Sequence, residues 1–166
     1  MIDEPNNNSS AIDTQEAFRE LRLFTVGSVQ FGIFEDEIAA IAEWRDPVPL
    51  PHAPESVIGV VGIHGRMLTV LDLARINVRD PVTEKLCDPN GQRQILALRG
   101  DEQLALAVDA LGEKVDIPEH ALKNKSETRR LVFGAFTHGE TEIRVINVKE
   151  LFPNAIHGRE RRRRRF

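Results

Sequence analysis

The chain has 166 residues, 41% of them apolar, enough for one domain with a sizeable buried core. No stretch approaches the roughly 20 consecutive apolar residues of a membrane span. Met1-Ile2-Asp3-Glu4-Pro5 lacks the basic and apolar parts of a secretory signal, and the single Cys87 cannot form an internal disulfide, so a cytoplasmic location is expected. The net charge of −4 is unevenly spread: residues 158–166 hold six arginines and one glutamate, which leaves 16 basic and 25 acidic residues, a net of −9, on residues 1–157. An acidic body argues against a nucleic-acid-binding fold, which carries its basic stripe on the domain itself.

Residues 1–17, rich in Asn, Ser and Asp, show no periodicity and read as a disordered segment. Leu21–Val26 and Val29–Phe34 alternate apolar with polar residues around Gly27-Ser28, the pattern of a hairpin with a two-residue turn. Phe34, Ile38 and Ile41 have helical spacing, which predicts a short turn or helix over 35–42. Arg45–Pro54, with four prolines, reads as a loop. A second hairpin is expected from Ser56–Ile63 and Met67–Leu73 around His64-Gly65-Arg66. The Arg79–Arg93 segment reads as a second loop. A third hairpin runs from Gln94–Arg99 to Glu102–Val108 around Gly100-Asp101. Lys114–Ile117 suits one more strand, and Pro118 can open a turn through Leu122. A fourth hairpin joins Leu131–Thr137 to Thr141–Ile146 around His138-Gly139-Glu140. Val148–Phe152 suits a last short helix halted by Pro153. At least eight short strands with glycine at the turns imply barrels or a sandwich rather than one open sheet.

Enzymatic signals are weak. Gly59, Gly62 and Gly65 match neither the dinucleotide fingerprint nor a phosphate loop. Cys87 sits in a polar loop with no histidine near it in sequence, so a surface thiol is the bland reading. The five histidines are scattered, without the pairing of a metal site. No cofactor, metal or small-molecule substrate is expected. The segment 158–166 reads as a basic disordered tail. It is either a solvated terminus or an electrostatic contact for nucleic acid, an anionic membrane surface or an acidic protein.

The ordered series of hairpins carries a resemblance. Leu23-Phe24-Thr25-Val26-Gly27 followed by Phe31-Gly32-Ile33 resembles the opening strands of CheW-like domains. Ile41-Ala42-Glu43-Trp44 resembles that family's Val-x-Glu-Val/Ile element. Pro51-His52-Ala53-Pro54, Val57–Arg66 and Val70-Leu71-Asp72-Leu73 resemble its Pro-x-x-Pro, Gly-(hydrophobic)-x-Asn-Leu-Arg-Gly and (hydrophobic)-(hydrophobic)-Asp-Leu stretch. Val108-Asp109 and Val145–Phe152 resemble its Val-Asp element and its closing strand and helix. The match runs through residues 20–152 in order. It departs at Gly62 and His64, where the family has Asn and Arg, and at Thr69, where the family has Pro.

The resemblance implies an all-β fold of two SH3-like β-barrels packed into one CheW-like domain over 20–152. Short helices, one of them near the C-terminal end, complete it. It also implies a non-enzymatic adaptor that couples the cytoplasmic tip of a chemoreceptor to the regulatory domain of a CheA-type histidine kinase. The candidate partner-binding residues are Ile41, Glu43, Trp44, Gly59, His64 and Arg66. Four of them have a plainer reading. Glu43 suits an exposed loop, Trp44 a core position, Gly59 close backbone packing and His64 a solvated turn. Asp72 and Asp109 suit local caps. The alternative reading is an SH3-like module whose arginine tail binds nucleic acid or another polyanion.

Overall fold

The computed structural model describes residues 16–76, 93–122 and 131–157. The expectations for residues 1–15, for most of the Arg79–Arg93 loop with Cys87, and for the arginine tail lie outside these residues. Ten strands follow one another along the described chain. They are β1 (Phe18–Val26), β2 (Val29–Phe34), β3 (Ile38–Glu43), β4 (Val57–Ile63), β5 (Arg66–Leu71), β6 (Gln94–Leu98), β7 (Leu104–Val108), β8 (Ala110–Pro118), β9 (Val132–His138) and β10 (Thr141–Ile146). Two short helices, α1 (Leu73–Ile76) and α2 (Leu151–His157), complete the chain.

The strands form two five-stranded sheets, ordered β8-β1-β2-β10-β9 and β3-β6-β7-β5-β4. The second is inserted whole between β2 and β8 of the first. Each sheet curls into a small SH3-like barrel, here barrel A and barrel B. Barrel B closes where the chain leaving β3 returns to β4, at an isolated bridge between Val48 and Val60. Barrel A keeps a seam between its edge strands β8 and β9, spanned by His138 Nε2 at 2.9 Å from Glu113 Oε1. His138 is thus the last residue of β9, paired with Thr141, rather than a turn residue.

Period-2 alternation explains how both barrels fill at once. In β6, Ile95 and Ala97 point into barrel B while Leu96 and Leu98 point towards barrel A. In β7, Ala105 points in, and Leu104, Leu106 and Val108 point out to barrel A. Barrel A answers from β1 and β2 with Phe24, Val26, Phe31 and Ile33, so the largest core cluster is the junction itself. Phe24 and Phe31 stack across the β1–β2 hairpin with ring centroids 5.7 Å apart. The barrel A interior is filled by Leu21, Leu23, Phe34, Ile143 and Val145, which leaves no room for a side chain at Gly32. A Cβ on Gly32 would stand 2.5 Å from Leu21 Cδ2, inside barrel A.

Three further expectations change in the structure. The turn or helix expected over 35–42 is confined to its first three residues. Glu35–Glu37 is one 3-10 turn, and Ile38–Glu43 is a strand paired with β6. Phe34, Ile38 and Ile41 belong to different surfaces: Phe34 fills barrel A, Ile38 fills the junction, and Ile41 is 37% exposed. The second hairpin turns on His64-Gly65 alone, because Arg66 already pairs with Ile63. Both turn residues have positive φ, 49° and 75°, as the twist of a two-residue turn of this kind requires. Pro153 does not halt the last helix. It is the third residue of α2, within the first turn, where a backbone N–H has no intrahelical partner to lose. The turn after Pro118 forms as expected, over Glu119–Ala121.

Candidate functional site

The exit of β3 is built from alternation. Ala40 and Ala42 pack against the barrel B core, and Trp44, next in that register, covers it as a half-buried lid. Its ring is held from two sides. Trp44 Nε1 donates to Asp46 Oδ1 at 3.1 Å, and the Arg93 guanidinium lies 5.1 Å from the ring centroid. Arg93 in turn faces Asp109, Nε to Oδ1 at 3.6 Å. Asp109 accepts from the Gly27 backbone N–H at 2.6 Å, and its own N–H donates to Thr25 O at 2.9 Å. The Val-Asp element is therefore a clamp from barrel B onto the β1–β2 turn of barrel A, a longer reach than a local cap. Asp72 does cap locally, accepting from Ala74 N–H at 3.0 Å. Burial raises the Asp72 pKa above the ordinary carboxylate value, and the Ala74 N–H and Arg75 pull against that rise.

Ile41 and Glu43 occupy the other face of β3. They pair with Leu96 and Gln94, so they share the face that barrel B turns to barrel A. Because β3 is the edge strand, they lie beyond the area that barrel A covers, and both are exposed. They form a rim of one aliphatic and one acidic side chain beside the junction.

The β4–β5 hairpin supplies the second group. His64 and Arg66 are exposed, and no atom lies within 4 Å of where a Cβ on Gly65 would be. Gly62 is exposed opposite Met67, with only the Met67 Sδ near its open side, at 3.8 Å. That position has space for a larger side chain. Gly59 does not reach the surface. It is buried, and a Cβ there would run into Val48 O and approach Pro47 Cβ at 3.0 Å. Gly59 thus lets the 47–48 segment lie on β4 and close the barrel.

The two groups meet. Arg45 Nη1 donates to Gly62 O at 3.2 Å, tying the exit of β3 to the β4–β5 hairpin. Between them runs an apolar strip missing from the sequence-based list. Val48 is 68% exposed, Met67 61% and Leu50 44%. The pairs Val48 with Val60, Val60 with Thr69 and Gly62 with Met67 set Val48 and Met67 on one outward face, with exposed Leu50 two residues beyond Val48. The alternation of Met67 and Thr69 with buried Leu68 and Val70 is a usable sequence signal for Met67. Val48 and Leu50, alternating with prolines, carry none.

A rigid face with uncommitted apolar side chains and a charged rim can hold another protein by burying surface. Four similarities relate the chain to known proteins. The family described as CheW-like domain matches residues 20–155. "Chemotaxis protein CheW" of Rhizobium meliloti (strain 1021) is 24% identical over 143 residues, covering 82% of this chain and 88% of that protein. "Probable chemotaxis protein CheW" of Rhizobium etli is 24% identical over 141 residues, covering 81% and 87%. The crystal structure of the scaffolding protein TtCheW from Thermoanaerobacter tengcongensis shares the fold, with a TM-score of 0.65 at 16% identity, over 80% of this chain and 90% of that one. With the family matched over nearly all of the two-barrel body, this chain belongs to the CheW-like domain family.

Proposed function

We propose that the protein is a non-enzymatic scaffold of a chemotaxis or related motility signalling array, coupling a chemoreceptor to a CheA-type histidine kinase. The observation that carries this reading is the exposed apolar strip Val48–Leu50–Met67, flanked by Ile41, Glu43, His64 and Arg66 on the outside of barrel B. The names of the relatives support it, since they are chemotaxis proteins and a scaffolding protein. The chemistry is binding alone. Apolar strip residues supply the buried area, and the rim charges select the partner. The regulatory domain of the kinase and the cytoplasmic tip of the receptor are the two partners. His64 in place of the family's Arg removes one guanidinium fork from the rim, Gly62 in place of Asn removes an amide, and Arg66 remains. The partner surface is accordingly less acidic here than one that meets an arginine at position 64.

The test is retrieval of purified kinase regulatory domain and receptor tip by the full chain. Ile41→Asp and Glu43→Lys change exposed side chains, so the fold is expected to survive while retrieval of at least one partner drops. Unchanged retrieval of both partners by both variants would overturn the assignment.

A further inference from the structure

One run of contacts crosses from barrel A and ends beside the open wall of barrel B. Asp109 stands between β7 and β8, and both of its carboxylate oxygens are engaged. Oδ2 accepts from the Gly27 N–H at 2.6 Å, in the β1–β2 turn, while Oδ1 faces Arg93 Nε at 3.6 Å. With its own N–H on Thr25 O at 2.9 Å, Asp109 is tied to barrel A at two points. From that carboxylate the Arg93 guanidinium reaches to 5.1 Å from the Trp44 ring centroid. A guanidinium suits both contacts, since its edge pairs with a carboxylate and its flat face with a ring. The ring lies between two exposed neighbours in sequence. Glu43 stands on the rim, and Arg45 donates to Gly62 O at 3.2 Å on the β4–β5 hairpin.

We propose that Arg93 and Asp109 are positioning residues for the partner face. Anchored on barrel A, they fix the Trp44 ring and through it the placement of Glu43 and Arg45 on barrel B. This deepens the adaptor reading and rests on it. Trp44 already packs on the barrel B core without Arg93. The Arg93 and Asp109 side chains are 27% and 19% exposed, and an ion pair open to solvent adds little stability. What it adds is orientation: a ring that swings carries Glu43 and Arg45 with it, since the three are consecutive. The placement of one barrel's rim is thus set by a turn of the other barrel, through two side chains that touch no partner.

The experiment uses the full chain, whose single tryptophan is Trp44 itself. Acrylamide quenching of its fluorescence reads the ring, and titration calorimetry with the kinase regulatory domain reads the face. Asp109→Asn keeps an acceptor for the Gly27 N–H and removes the charge that faces Arg93. Arg93→Gln removes the cation from the ring. Each is expected to raise quenching and to weaken kinase binding about fivefold. Because both residues act through one ring, Arg93→Gln/Asp109→Asn should lose no more than either change alone. Arg93→Lys, which keeps a cation near the ring, should recover part of both readouts. A merely structural role would give neither the shared loss nor the recovery. Unchanged quenching and affinity in Arg93→Gln would overturn the proposal. So would losses that add in the double variant, which would make the two residues independent. Either result in a chain that binds the kinase domain sinks this proposal alone. If the wild-type chain holds no kinase domain, the adaptor reading falls and takes the proposal with it.

Discussion

The outer walls of the two barrels spend their side chains differently. On barrel A, the wall made by β1, β8 and the 35–37 turn is charged and paired within itself. Arg22 meets Glu35 at 3.1 Å, Lys114 meets Glu35 at 3.0 Å and Glu20 at 3.4 Å, and Arg19 meets Asp36 at 3.1 Å while lying 3.6 Å over the Phe34 ring. Arg22 beside it holds the Glu35 carboxyl below its ordinary pKa, against the opposing effect of burial, and Lys114 adds to the lowering. On barrel B the corresponding wall is Val48, Met67 and Leu50, apolar and open. Surface ion pairs contribute little to stability, but they occupy the charges that make them and leave little for a partner. Open apolar area does the opposite. Under the proposed function, the open wall of barrel B meets other proteins and the self-paired wall of barrel A faces solvent.

The comparison can be tested by perturbing each region in turn. The largest effect belongs to the junction that both barrels share. Phe24→Ala removes a ring that is 1% exposed and stacked on Phe31, and should cost about 3–5 kcal/mol in urea unfolding. Because the junction is one cluster, loss should appear as a single transition with an unsplit slope. Next comes the open wall. Met67→Glu should weaken kinase or receptor binding at least about tenfold, read by titration calorimetry. Its stability should stay within about 0.5 kcal/mol of wild type, since the side chain is largely in solvent. Lys114→Ala on the closed wall should leave the same binding curve in place. A smaller effect attaches to the clamp between the two regions. Asp109→Ala frees the Gly27 N–H and the Arg93 guanidinium and should cost about 1–2 kcal/mol, measured by the same unfolding curve.

The smallest effect is a pH dependence at the Glu35–Glu37 turn between β2 and β3. Glu37 lies between the barrels; its carbonyl accepts from Arg99 N–H at 2.8 Å, and its Oε2 is buried without a hydrogen-bond partner among the described residues. Burial raises its pKa above 4.5, with nearby Arg19 and Lys149 opposing and Asp36 assisting. The folded state then holds this proton more tightly than the unfolded state. Its stabilising contribution is present at acid pH and lost as pH rises through the raised value. Glu37→Gln should therefore raise the melting temperature at pH 7, with the gain shrinking towards pH 4.

Most of the strand framework was legible in the chain because each hairpin couples alternation to a turn glycine. Gly27, Gly65, Gly100 and Gly139 all have positive φ. β3 escaped because Ala40 and Ala42 carry its inward face, and alanine scarcely marks a face. The chance spacing of Phe34, Ile38 and Ile41 then imitates a helix. Pro153 misled because a proline's effect depends on its distance from a helix start that the sequence does not mark. At the candidate site, Glu43, His64 and Arg66 were found through family resemblance, and the structure places them on exposed positions. Val48 and Leu50 were not found, because exposure depends on which barrel face the partner barrel covers. That is a property of the packed pair and of no single segment.

The most direct measurement is amide hydrogen exchange of the full chain, alone and saturated with the kinase regulatory domain. The account predicts added protection in residues 41–50 and 60–69 and none along β1 and β8. Protection confined to β1 and β8, with the β4–β5 hairpin exchanging as before, would contradict it.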